Sequence, residues 1–183
     1  MQRKNFIKLS SMAVGGLTLS PLASCQSTVA DPSAKSLSTT TPKIVKEAEG
    51  QRLNVIGDNQ LVKLTGEDTS NQFTLIEQDN APGVGIPPHV HENEDEIFKV
   101  NSGSAEVTIG SKTVILNSGD LVFCPRGIPH SWKIIGSENA KVSLSIFPSG
   151  LEKMFEELSN LPQGKPDMSM VAEICGKYKI TFV

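Results

Sequence analysis

From residue 50 onward, short apolar runs alternate with polar positions and are cut every few residues by turn-forming side chains. Runs at 53–56, 61–64, 73–78, 86–91, 97–100, 105–109, 113–116, 121–124, 130–135 and 141–147 predict strands. Between them lie Asp58-Asn59, Gly66, Asn101-Ser102-Gly103, Gly110-Ser111, Asn117-Ser118-Gly119 and Gly136-Ser137, all turn formers. Many short strands at this spacing, with no helical period inside the segment, predict an all-β antiparallel sandwich or barrel. After Pro148 the period changes. Leu151, Met154, Phe155, Leu158 and Leu161 recur at helical spacing, as do Met170, Val171, Ile174, Cys175 and Tyr178, and 179–183 reads as a terminal strand. The two short helices are expected to cap or flank the barrel, with their apolar stripes as packing faces.

The N-terminal stretch reads differently. Arg3, Lys4 and Lys8 precede a mildly apolar run, 12–23, that is broken by Gly15, Gly16 and Pro21. That is the layout of an export signal, too short and too interrupted for a membrane span. Leu22-Ala23-Ser24-Cys25 resembles the lipobox of bacterial lipoproteins, which implies cleavage before Cys25 and lipidation of its thiol. Residues 2–8, QRKNFIK, resemble the twin-arginine export motif with one Arg replaced by Lys, so the export route stays open between that system and Sec. From 26 to 43 the chain is rich in Ser, Thr, Ala and Pro and has little to bury, as a flexible tether would. The expected organisation is a signal peptide at 1–24, the lipidated cysteine and tether at 25–49, and one folded domain at 50–183, its barrel running to about 148 and its helices and last strand over 149–183. The protein is then exported and lipid-anchored at the bacterial envelope, on the periplasmic side of a membrane or at the cell surface, touching the membrane only through its anchor.

Composition narrows the partners. With 183 residues, 38% hydrophobic side chains and a formal charge of −3, the chain suits one soluble domain and has no basic excess for nucleic acid. Its three cysteines, Cys25, Cys124 and Cys175, are too far apart for a cysteine metal site. Cys124 and Cys175 can pair outside the cytoplasm or remain buried thiols.

The three histidines, His89, His91 and His130, all fall in two segments, 83–103 and 119–130. His89 and His91 share one face of an extended strand, where both imidazoles can bind one ion. Glu96 lies an odd number of residues beyond His91, so an unbroken strand would turn it away. A turn or bulge in Glu92-Asn93-Glu94-Asp95 would restore its face on the neighbouring strand, and a barrel can bring His130 to the same ion. Glu92, Glu94 and Asp95 themselves read as solvated turn residues. Neutral imidazole suits iron, nickel, zinc or copper, and the carboxylate beside it widens the choice to manganese. Alternation from Glu96 and His130 also points Phe98, Trp132 and Ile134 inward, either as a pocket wall for a small, largely apolar or aromatic ligand or as core.

The segment from Gly83 resembles the first cupin motif: Gly83, His89-Val90-His91, Glu96 and Gly103 stand at that family's spacing. Gly119, Pro125, Gly127 and His130 are similar to its second motif, which departs here at Ile134, where the family often has Asn. The resemblance implies a cupin jelly-roll β-barrel with the two short C-terminal helices as additions. Phe147-Pro148-Ser149-Gly150-Leu151-Glu152, the helix after it and Lys177-Tyr178-Lys179-Ile180 resemble single-domain cupins grouped with quercetin 2,3-dioxygenase-like proteins. What this implies is cleavage of a small enolic, phenolic or flavonol-like substrate by O2, with one divalent metal ion held by His89, His91, Glu96 and His130, and Glu96 as general base. It also implies a homodimer through barrel edges. Two other classes fit the same motifs: a tethered binding or sensor protein without turnover, and a non-oxidative cupin isomerase or decarboxylase.

Overall fold

The computed structural model describes residues 40–162, 164 and 166–183. The expected signal peptide, Cys25 and the tether up to residue 39 lie outside the described residues. The compact unit that remains is Ser38–Val183.

Its strands are β1 (Gln51–Val55), β2 (Asp58–Leu64), β3 (Thr74–Asn80), β4 (Gly85–His91), β5 (Asp95–Ser102), β6 (Ser104–Ile109), β7 (Lys112–Asn117), β8 (Leu121–Cys124), β9 (His130–Ile135), β10 (Ala140–Phe147) and β11 (Ile180–Phe182). The helices are α1 (Gly66–Thr69), α2 (Leu151–Ser159) and α3 (Met168–Lys177). One sheet runs β1-β2-β3-β10-β5-β8 and the other β11-β4-β9-β6-β7, with antiparallel pairing throughout. Alternation fills the space between them. On β10, Ala140, Val142, Leu144 and Ile146 are buried and their neighbours are not; Leu144 sits in register with Ile76 on β3 and Phe98 on β5. Turn glycines set the corners: Gly103 joins β5 to β6 at φ 77°, and a Cβ there would come within 2.8 Å of Ala140.

Every predicted strand is present, and α1 is the addition. Gly66 opens this single turn instead of merely breaking the chain, because the Asp68 carboxylate accepts from the Thr65 amide and satisfies one of the free N–H groups of the helix start. The buried Glu152 at the start of α2 accepts from Gly66 N (3.0 Å), Thr74 Oγ1 (2.6 Å) and Gly150 N (2.8 Å), which fixes α2 to α1 and β3. Lys63 donates to the backbone carbonyls of Lys46, Glu47 and Glu49, holding the segment that leads into β1.

The C-terminal helices lie across one side of the sandwich. α2 packs on β1, the outer strand of one sheet, α3 packs on β11, the outer strand of the other, and the helices touch each other. Their buried faces carry Leu151, Met154, Phe155 and Leu158 on α2 and Val171, Ile174 and Cys175 on α3. Cys124 and Cys175 are buried free thiols. Among the described residues, no helix is long and apolar enough to cross a membrane.

Candidate metal centre

The histidines come from two paired strands of one sheet. His89 and His91 point inward from β4, and His89 is in register with His130 on β9. After His91 the chain bends at Glu92-Asn93 and leaves that sheet, so that Glu96 arrives on β5 of the opposite one. This accounts for the odd interval. The expected turn is there, but β5 does not pair with β4 as a neighbour; it lies in the facing sheet.

The four residues are all buried, and one ligand atom from each lies within 4.8 Å of the others. The backbone determines which imidazole nitrogens face this point. His89 Nδ1 is 3.0 Å from the Pro87 carbonyl and His130 Nδ1 is 3.1 Å from that of Ile128. A carbonyl only accepts, so each Nδ1 carries the proton and each Nε2 presents its lone pair inward. His130 Nε2 then stands 3.2 Å from Glu96 Oε2, and His91 Nε2 stands 3.8 Å from Glu96 Oε1. Neutral imidazoles and a carboxylate are all acceptors, and acceptors this close need a shared cation, either a proton or a metal ion. Both ring nitrogens of His91 are buried without a hydrogen-bond partner, which is the further sign that this donor set fits a metal.

The electrostatics agree. Burial and then the charge of His130 push the His89 imidazole down to about 4 against the opposing field of Glu96. Burial also opposes charge on His130, but the hydrogen bond and the charge of Glu96 outweigh it and hold its pKa above the ordinary value. For Glu96, burial pulls upward and is overcome by the His130 hydrogen bond and the fields of the three imidazoles, so its carboxyl sits below the usual range. Beside it, burial and then Glu96 push the Cys124 thiol up to about 12, which makes it a poor thiolate ligand.

Two residues that read as solvated turn positions are built into the site. Glu94 is buried, with Oε2 lying 3.7 Å from His91 Nδ1 and lacking a hydrogen-bond partner. Asp95 takes a two-pronged ion pair from Arg126 (3.0 and 2.9 Å) and accepts from the Arg126 amide, which holds its carboxyl at about 2. Gly127 N donates to the His91 carbonyl at 2.8 Å. The loop before His130 is thereby braced against the turn between His91 and Glu96. The charged run itself concealed this, since partners thirty residues on leave no local pattern.

A cavity of about 130 Å³ opens beside the cluster, under α2 and α3. His89, His91 and Glu96 line it together with Trp132, Leu144, Phe155 and Phe182. Of the three inward-facing side chains considered for a pocket wall, Trp132 lines this cavity. Phe98 and Ile134 are 3% and 1% exposed and belong to the packed core, Phe98 lying against the Trp132 ring at 5.4 Å between centroids. The helical stripes do more than pack, since Met154, Phe155, Leu158, Val171 and Cys175 also line the cavity.

Residues 77–147 match the cupin domain model. Over 105 residues the chain is 28% identical to a quercetin 2,3-dioxygenase of Bacillus subtilis (strain 168), covering 57% of this chain and 31% of that protein. It is 32% identical over 108 residues to a quercetin 2,3-dioxygenase of Aspergillus japonicus, covering 54% and 30%. The match thus spans about a third of the length of these curated relatives. Among solved structures, KdgF from Halomonas sp. superposes with a TM-score of 0.54 at 19% identity, covering 62% of this chain and 99% of that one. A protein described as a predicted oxalate decarboxylase, from Thermotoga maritima, superposes at 0.53 with 24% identity, covering 58% and 99%. At those identities the likeness speaks for the fold, a cupin jelly-roll barrel.

Protein purified without chelators is expected to carry about one divalent ion per chain by elemental analysis, and His91→Ala to lose it; native protein free of metal would contradict the fit. Metal-free protein should also lose thermal stability as pH falls. His89 has a folded pKa of about 4 against an ordinary 6.5, so the unfolded chain takes up a proton in that window that the folded chain refuses. His130, held above its ordinary value, already contributes fully below 6.5 and does not reverse the sign. A midpoint that stays flat or rises as pH drops from 6.5 to 4 would refute the assignment.

Proposed function

We propose that this chain is a metal-dependent cupin dioxygenase acting on a small enolic, phenolic or flavonol-like substrate. The observation that carries the reading is the convergence of four buried acceptors, three of which line a largely apolar, aromatic-lined cavity. The names of the two curated relatives point to the same class of substrate.

In this reading His89, His91, Glu96 and His130 hold one divalent ion, with iron, manganese or nickel ahead of zinc or copper. Bound there, the ion supplies a Lewis-acidic position for an enolate or phenolate oxygen. Glu96 is buried, yet its carboxyl is held below the usual range, first by the His130 hydrogen bond, and it takes the hydroxyl proton of the incoming substrate. Trp132, Phe155 and Phe182 offer flat or apolar surface to an aromatic ring, and α2 and α3 keep bulk water off the reacting end. The cavity volume is close to the ~150 Å³ that encloses one benzene-sized ring, a size that suits a small aromatic substrate. O2 is the co-substrate.

An oxygen electrode tests the reaction class. Metal-loaded protein is expected to consume O2 with quercetin or a comparable enol, and His91→Ala to reduce the rate by at least about a hundredfold. Loaded protein that is thermally stabilised by such compounds but leaves them unconsumed would replace the enzyme with a binding protein.

We also propose that the domain is exported and held at the envelope by lipid on Cys25, a reading supported by the Leu22-Ala23-Ser24-Cys25 sequence and the tether after it. Cys25→Ala should then move the protein from the membrane to the soluble fraction; unchanged fractionation would reject the anchor.

A further inference from the structure

Ahead of the histidines in the chain, β2 and β3 carry an arrangement that a barrel interior does not need for packing. The inward face of this pair is apolar at Val62 and Ile76, which are in register, and polar at the next inward pair, where Gln60 lies in register with Gln78. Asp58 and Asn80 lie one inward position further on. The β1–β2 hairpin turns through Ile56 and Gly57 at φ 56° and 93°, a two-residue turn with both central residues left-handed, and this sets Asp58 as the first residue of β2. The Asp58 carboxylate accepts from Gln60 Nε2 (2.8 Å), Gln78 Nε2 (2.7 Å) and Asn80 Nδ2 (2.6 Å). Burial raises this carboxyl above its ordinary range and the three amide donors pull it back.

The carboxylate fixes which way both glutamines face. A carboxylate only accepts, so each Nε2 is committed to Asp58 and each amide oxygen must point elsewhere. Those two oxygens, Gln60 Oε1 and Gln78 Oε1, are buried and have no hydrogen-bond partner, on residues that are 5% and 3% exposed. Leaving a buried acceptor unmatched is costly, and the great majority are paired. Asp58, Gln60 and Gln78 line the same cavity as His89, His91 and Glu96.

We infer that Gln60 and Gln78 form a second recognition subsite in this cavity, whose paired amide oxygens accept hydrogen bonds from adjacent hydroxyl groups on the substrate's aromatic ring. The inference rests on the reading of the cavity as a site for a small aromatic substrate, and it adds which substituents that substrate carries. An acceptor pair selects O–H or N–H donors and rejects carboxylates and ethers. The apolar side chains between the two polar ends, Leu144 and Phe155 among them, favour a hydroxylated aromatic ring over a sugar. The ligand class is therefore a catechol-bearing enol or flavonol.

Trp132 provides a direct readout, because it lines the cavity and is the sole tryptophan of the chain. Quenching of its fluorescence in the full-length protein is titrated with quercetin and with galangin, flavonols that differ only in the two catechol hydroxyls. Wild type is expected to bind quercetin tighter by roughly tenfold to a hundredfold, about one decade or less per hydroxyl. In Gln78→Met and in Gln60→Met the preference falls towards one. Because those variants also take a donor from Asp58, Asp58→Asn is measured beside them. Its new amide can donate to a glutamine oxygen and satisfy it internally, so the preference should fall in a chain of nearly unchanged volume, with folding checked by circular dichroism. Equal quenching by the two flavonols in wild type, no quenching by either, or a preference that persists in all three variants would overturn the subsite. Oxygen uptake recorded on the same samples separates this from the reaction itself. Preference without uptake upholds the subsite and removes the oxygenase, and uptake without preference does the reverse.

Discussion

The carbonyl of Ile128 accepts from His130 Nδ1, and that single bond commits the opposite nitrogen of the ring to the barrel interior, 3.2 Å from a carboxylate oxygen that also only accepts. Pro87 does the same to His89. Once two imidazoles have been turned in this way, the interior at Glu96 is a set of lone pairs facing one another, and they are compatible only around a cation. The rest of the fold can be understood as keeping those groups from rotating or drifting apart. A flexible arrangement would relax by swinging Glu96 outward or flipping a ring, at a cost of a hydrogen bond or two.

Rigidity comes from splitting the site across two sheets. The histidines share adjacent, paired strands, whose spacing is set by the backbone ladder, while Glu96 faces them from the other sheet and is fixed by Ile146 and Cys124 on either side of it in register. The separation between the sheets is set by the core, where Ile76, Phe98, Val100, Val107 and Ile134 fill the space. Core packing thus fixes the distance between Glu96 and the imidazoles, and cores resist changes of even a methylene. The loops add a second brace. Arg126 grips Asp95, the residue before Glu96, and Gly127 donates to the carbonyl of His91. Both residues belong to the turn that delivers His130, so the three segments that supply ligands are tied to one another outside the core as well.

What could be read in the sequence, and what could not, follows from the range of the interactions involved. Strands β8 and β9 begin and end where the pattern put them, because Pro125 and Gly136 adjoin their ends, Gly119 and Gly127 lie in the flanking turns, and turn chemistry is local. The four residues of the metal cluster were legible for a similar reason: strand alternation and motif spacing are short-range signals. Glu94 and Asp95 were not, since a charged run has the same appearance whether it is solvated or folded against Arg126. Phe98 and Ile134 share the inward direction of Glu96 and His130, but direction does not tell how far along the barrel the open space extends, and both fall where it is already filled. The helical stripes of α2 and α3 were legible as apolar faces. Their contribution to the cavity depends on both helices bridging the outer strands β1 and β11, a long-range arrangement.

Gln60 and Gln78 are the sharpest case, because alternation places them inward and ordinary packing would have put aliphatic side chains there. Their burial is tolerable only because Asp58 takes one end of each amide, and that same contact strips the other end of any internal donor. The residues that line the cavity therefore carry two sets of unmatched acceptors, imidazole and carboxylate in one and glutamine amide oxygen in the other, beside apolar side chains. Neither set can satisfy the other, since both only accept, and the apolar wall can satisfy neither. In the proposed reading a cation answers the first and a hydrogen-bond donor the second, so the substrate's orientation would be set before any chemistry begins: its ionisable oxygen toward Glu96, its hydroxyl donors toward β2 and β3, and its ring against Trp132.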